Sequence, residues 1–215
     1  MSVRRFNANA IRTAMAVVLL IGFVAIPAAA QGFGAPAGVG KFGPPSTAPG
    51  MGGQGTGTCL TCTATATPLG AEQVEQLKFM REEEKLARDV YTYLFKKYGL
   101  RVFDRISESE QRHFDTLGRL LTANGIADPA KDKAEGEFVN TDLQKLYTDL
   151  IAKGDVSVKD ALEVGVLVEK TDIADLEKIL ETETNTTLKR VYLNLLNGSM
   201  SHLDAFEGYL EIYGA

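Results

Sequence analysis

The feature that most constrains this chain is a 3-4 apolar spacing repeated in four long stretches after about residue 70. The first stretch, about Ala71 to Tyr98, sets Leu77, Met80, Glu84, Ala87, Tyr91 and Leu94 on one stripe and stops at Gly99. The second, about Val102 to Asn124, carries Phe103, Ile106, Glu110, His113, Leu117 and Leu120 and stops at Gly125. The third opens at Ser157, with Asp160 three residues on in a capping-box arrangement, and carries Leu162, Gly165, Glu169, Asp172, Leu176 and Ile179. The fourth starts near Thr186 or Thr187 and carries Leu188, Tyr192, Leu195, Ser199, His202, Phe206 and Tyr209. Such stripes pack helices about 20° from parallel in a four-helix bundle. The first two stretches are joined by a short turn and should be antiparallel neighbours. Roughly 30 residues separate the second from the third and contain a shorter amphipathic stretch, about Thr141 to Lys153, ended by Gly154. An up-down bundle with short loops needs no such connection, so the expected fold is all-α, with a long crossover between helices two and three containing a short extra helix.

Each stripe is broken by polar residues near mid-helix. The first offers Glu84, the second Glu110 and His113, the third Glu169 and Asp172, the fourth Ser199 and His202. The chain has two histidines in all, and both fall at stripe positions. In an antiparallel bundle the mid-points meet, so these side chains should converge. Buried carboxylates repel one another and raise each other's pKa unless something compensates them. Four carboxylates and two neutral imidazoles balance two divalent cations and supply the oxygen and nitrogen donors that suit iron or manganese. The competing arrangement is a buried salt-bridge network in which Arg81, Arg88 or Arg112 neutralises the acids and His202 bonds a backbone carbonyl. Glu82 and Glu83 read as a solvated face and a rim. Tyr91, Tyr192 and Tyr209 read as core residues with bonded hydroxyls, and Gly165 as a point of close helix approach.

A bundle with one long crossover is the ferritin-like topology, and di-iron bundles of that class place one Glu on each of two helices and Glu-x-x-His on the other two. Glu110-x-x-His113 matches that motif, with Glu84 and Glu169 on the partner helices. Ser199-Met200-Ser201-His202 departs from it, and Asp172 could restore the missing carboxylate. Glu84-Lys-Leu-Ala-Arg-Asp-Val-Tyr91 resembles the first-helix motif of rubrerythrin-type ferritin-like proteins, in which the leading Glu is a metal ligand. The segments Met80–Tyr91, Ser109–His113, Glu169–Leu176 and Asn197–Phe206 resemble a ferritin-like family catalogued as a domain of unknown function. The resemblance spans residues 70–212 and implies metal ligands at Glu84, Glu110, His113, Glu169, Asp172 and His202.

The N-terminus reads as an export signal over residues 1–30. Arg4, Arg5 and Arg12 precede the apolar run Ala14 to Ile26, and Pro27-Ala-Ala-Ala-Gln31 offers a cleavage site after Ala30. The run is short for a bilayer span, which takes about 20 residues, although an uncleaved anchor is the alternative. Arg4-Arg5-Phe6 hints at a twin-arginine route. Export would place the protein in the periplasm, the cell envelope or outside the cell. Removing those three arginines from the 23 basic residues leaves 20 against 28 acidic ones, a formal charge of −8. That charge argues against nucleic-acid binding. Residues 31–69 are rich in Gly, Pro, Ala and Thr and nearly uncharged, as a flexible linker is. They hold Cys59 and Cys62, a pair suited to a local disulfide, metal capture or partner attachment. Residues 70–215 make the bundle.

Three functions fit. The first is an exported oxidoreductase whose di-iron or di-manganese centre reacts with dioxygen or peroxide. The second is a non-catalytic metal-binding or storage module. The third is a metal-free structural or partner-binding bundle tethered through its N-terminal arm. A homodimer fits any of them.

Overall fold

The structure is a computed structural model that describes residues 68–213. The segment read as an export signal, nearly all of the segment read as a linker, and Cys59 and Cys62 lie outside the described residues. Among the described residues every regular element is an α-helix: α1 Ala71–Tyr98, α2 Arg101–Ala123, α3 Thr141–Gly154, α4 Val158–Thr182 and α5 Thr186–Tyr213. None of them is long and apolar enough to cross a membrane.

The helix ends follow from local chemistry. Gly99, at φ 68°, closes α1 in the left-handed conformation and returns its N–H to the Phe95 carbonyl. Asn140 caps α3 by accepting from the N–H groups of Asp142 and Leu143. Ser157 caps α4, accepting from the Asp160 N–H at 3.1 Å. Asn185 caps α5 through Thr187 and Leu188, so the helix starts at Thr186 as the sequence leads one to expect.

Helices α1 and α2 form one hairpin and α4 and α5 another. They pack α1 on α4 and α2 on α5, while α3 lies against α1 and α4. The stripes meet inside: Leu77, Met80, Leu94, Phe103, Leu117, Leu162, Leu176 and Tyr192 have no measurable exposure. Gly165 is the point of close approach expected of it, since a Cβ there would lie 2.6 Å from the Phe206 ring. That ring packs on Tyr91 and Phe103, with centroids 5.0 and 5.5 Å away.

The crossover corrects one expectation. Glu82 and Glu83 are neither solvated nor at a rim; each is only 4% exposed. No residue from Leu77 to Phe95 is exposed, because the crossover covers the face of α1 that the bundle leaves free. Charged side chains on that face bind the crossover's backbone. Glu82 accepts from Val139 N at 2.6 Å and from Asn140 N. Asp89 accepts from Gly136 N at 2.9 Å, and Lys85 donates to the Ala134 carbonyl at 2.7 Å. Arg81 donates to Asp128 at the start of the crossover. Buried polar groups are tolerated where such partners satisfy their hydrogen bonds, so a helix enclosed on every side can keep a polar sequence.

Candidate metal centre

The spacing of three places Glu110 and His113 one turn apart on the same face of α2, pointing between the two hairpins. Glu84 arrives from α1, Glu169 from α4 and His202 from α5. Five of the six expected ligands therefore meet, and they meet in two groups. Glu84, Glu110 and His113 offer donor atoms within 4.8 Å of one another, and so do Glu110, Glu169 and His202. Glu110 belongs to both.

Its two oxygens divide the work. Oε2 lies 2.9 Å from His113 Nδ1 and Oε1 lies 2.7 Å from His202 Nδ1. Glu84 Oε2 is 3.3 Å from His113 Nδ1, and Glu169 Oε2 is 3.6 Å from His202 Nδ1. The two rings stand 5.7 Å apart at 30°. Donors held about 2.1 Å from one ion and at right angles are separated by about 3 Å, so both halves have cation spacing. The imidazoles satisfy part of the cluster, His113 through Glu84 Oε2 and Glu110 Oε2 and His202 through Glu110 Oε1. Glu84 Oε1 stays buried with no hydrogen-bond partner, and Glu84, Glu110 and Glu169 share two rings. The residues present fit two cations, which Glu84, Glu110 and His113 would hold on one side and Glu110, Glu169 and His202 on the other.

The electrostatics point the same way. Burial, then the charges of Asp172 and Glu110, push Glu84 well above the ordinary carboxylate range. Burial and Glu110 raise Glu169 to about 8. Burial opposes ionisation of Glu110 too, but the flanking imidazoles outweigh it and hold this carboxyl down to about 2. His202 is raised to about 9 because Glu110 and Glu169 overcome the opposing effect of burial. In the metal-free chain the cluster thus retains protons that cations would displace.

Asp172, the sixth expected ligand, stands in neither group. Its Oδ2 accepts from the Ser199 hydroxyl and its buried Oδ1 has no hydrogen-bond partner. The α5 serine at the departure from Glu-x-x-His therefore holds the acid that could replace the missing one. Tyr91 donates to Glu169 Oε1 at 2.6 Å and fixes that carboxylate. Tyr192 is buried as expected, but its hydroxyl has no hydrogen-bond partner. Sequence reasoning missed Gly198: a Cβ there would meet His113 Cε1 at 2.6 Å, so only glycine lets the ring lie against α5.

The salt-bridge alternative finds no support. Arg81 is taken up by Asp128 and the Phe114 carbonyl, Arg88 by Asp89 and Gln111, and Arg112 is exposed. The carboxylates are sealed, with Glu84 and Glu169 side chains 2% exposed, whereas His113 and His202 are 15% and 11% exposed. The centre consequently opens on its imidazole side, between α2 and α5.

The domain family described as an uncharacterized protein domain, DUF2202, matches residues 73–215. MJ0754, an uncharacterized protein of Methanocaldococcus jannaschii, is 47% identical over 148 residues, covering 69% of this chain and 80% of that protein. The crystal structure of a hypothetical protein MJ0754 from Methanococcus jannaschii matches with a TM-score of 0.68 at 47% identity, over 69% of this chain and 85% of that one. With the match running through all five helices and the identity this high, the chain belongs to the DUF2202 family.

Proposed function

We propose that the protein is an exported, ferritin-like metalloprotein whose paired iron or manganese site acts as an oxidoreductase on dioxygen or peroxide. The observation that carries this reading is the splitting of Glu110 between two histidines, each accompanied by a second carboxylate. Glu84, Glu110 and His113 would hold one ion, and Glu110, Glu169 and His202 the other, with Asp172 as the further carboxylate. Bound iron or manganese would supply the redox capacity that these side chains lack.

The chain's own part is positional. Tyr91 orients Glu169, Ser199 orients Asp172, and the Tyr91–Phe103–Phe206 aromatic group keeps water from the inner side. The partly exposed imidazoles are the side from which a small reactant such as dioxygen or peroxide would approach. The export signal read in residues 1–30 would deliver the domain beyond the cytoplasm.

Anaerobic ferrous titration of wild type and Glu110→Ala, followed by oxygen or peroxide, tests the reading. Wild type should bind two ferrous ions per chain and turn over on repeated additions, and Glu110→Ala should do neither. Binding without turnover would make this a storage or binding module. A chain metal-free after reconstitution would make it a structural bundle.

A further inference from the structure

Helix α5 turns Leu188, Tyr192, Leu195, Ser199, His202 and Phe206 into the bundle, yet it carries a second apolar stripe. Leu193, Leu196, Met200 and Leu203 follow each other at intervals of three, four and three. At about 100° per residue they lie roughly a third of a turn round the helix from its buried side. Leu193 and Met200 are 42% and 51% exposed, and Leu196 and Leu203 are half-buried. Lys170 of α4 bonds Glu207 of α5 at 2.8 Å. That contact sets the antiparallel register of the hairpin and brings the half-buried Ile173 and Leu180 level with Leu203 and Leu196. Among the described residues nothing covers this face, because α3 packs on the Leu167–Val168–Thr171 side of α4. A contiguous apolar strip rimmed by charge marks a surface that meets a partner.

The charges of α5 say which partner fits. From Thr186 to Met200 the helix carries Lys189 and Arg190 and no acid, and from Ser201 to Tyr213 it carries Asp204, Glu207 and Glu211 and no lysine or arginine. The helix is therefore complementary to itself run in the opposite direction. A second copy laid antiparallel, about a two-fold axis level with residue 198, sets Leu193 on the Leu203 of the other copy and Leu196 on its Met200. Lys189 and Glu207 continue the stripe by four residues at its two ends, and the same register sets each on the other. A parallel pairing would set like charge on like. The size also suits a dimer: α5 has 28 residues, so the hairpin face is about 40 Å by 20 Å, close to the roughly 800 Å² that each partner gives a stable interface.

We propose that the outer face of the α4–α5 hairpin is a dimer interface, covered by a second copy of this chain with α5 antiparallel to α5. Gly198, which lies against His113, stands on the far side of α5 from this stripe. The dimer therefore leaves the opening between α2 and α5 free, and it forms whether or not the centre holds metal.

The test is sedimentation equilibrium of the metal-free full chain at micromolar concentrations. Wild type should sediment as a dimer. Met200→Glu and Leu193→Glu change exposed positions and should sediment as monomers with the helical circular dichroism of wild type. Lys189→Glu sets acid on acid at both ends and should weaken the dimer roughly tenfold or more, whereas Lys189→Glu/Glu207→Lys exchanges the two charges and should recover most of that loss. The charge exchange touches only exposed side chains, so it reads the interface even if an acid at position 193 or 200 disturbs the fold. A monomeric wild type overturns the proposal. So does a folded Met200→Glu chain that stays dimeric, which would put the contact on another surface or on residues 1–67. A charge exchange no tighter than Lys189→Glu alone overturns it as well.

Discussion

Glu110→Gln changes one atom type at the point where both halves of the centre meet, and the size of its effect follows from that geometry. Each half has two carboxylates and one imidazole, so the substitution takes a charged donor from both at once. A cation present at 100 times its dissociation constant stabilises a fold by about 2.7 kcal/mol per site. Domains of this length shift by about 2–4 °C per kcal/mol. Two sites should then lift the wild-type melting temperature by roughly 10–20 °C in manganese(II). Losing an outer hydrogen-bond partner of a ligand already weakens metal binding 10- to 100-fold, and losing the ligand itself should do at least the upper value. At the same manganese concentration each site of Glu110→Gln would retain about 0.4 kcal/mol, for a shift of about 1–3 °C. Glu84→Gln and Glu169→Gln each touch one half and should keep about half of the wild-type shift. Scanning calorimetry of all four proteins, with and without manganese, reads this directly. A Glu110→Gln shift no smaller than that of Glu84→Gln would refute the shared-ligand geometry.

Gly198→Ala should displace the His113 ring, because the added Cβ lies 2.6 Å from Cε1, and lower the bound metal from two ions per chain to one by elemental analysis. Glu82→Ala strands the Val139 and Asn140 N–H groups; it should cost about 1–3 kcal/mol in urea unfolding and speed proteolysis between residues 125 and 140. Stability of the metal-free chain should fall from pH 5 to pH 9. Glu169 at about 8, Asp172 at about 7 and His202 at about 9 are all raised on folding, so their contribution is complete below their ordinary values and lost as pH passes through the raised ones. Glu110, held at about 2, contributes above its ordinary value and loses that contribution only as pH falls toward 2. Metal affinity should rise over the same pH 5–9 window as those protons leave, so thermal melts with chelator and with manganese should diverge.

The four stripes and their polar interruptions could be read in the chain because they obey a single period, and a residue on a helical stripe has one place to go. Glu84, Glu110, His113, Glu169 and His202 are such residues, and the structure brings them together. Glu82 and Glu83 follow no stripe. Glu82 is buried by crossover backbone 57 and 58 residues away and Glu83 by side chains of α3 and α4, so local pattern assigns both to solvent. The density of charge from Arg81 to Asp89 was the available signal, since a helix covered on every face needs partners for each polar group. Gly198 offered another: glycine inside a helix costs about 1 kcal/mol relative to alanine, which marks a place where something must come close.

The most direct test is anomalous diffraction from crystals of the manganese- or iron-loaded protein. Two peaks per chain should appear about 3.5–4 Å apart, as in bridged two-metal sites, with one beside each oxygen of Glu110. A lone peak, or density only at surface carboxylates with Glu110 still facing both imidazoles, would contradict the bridged centre.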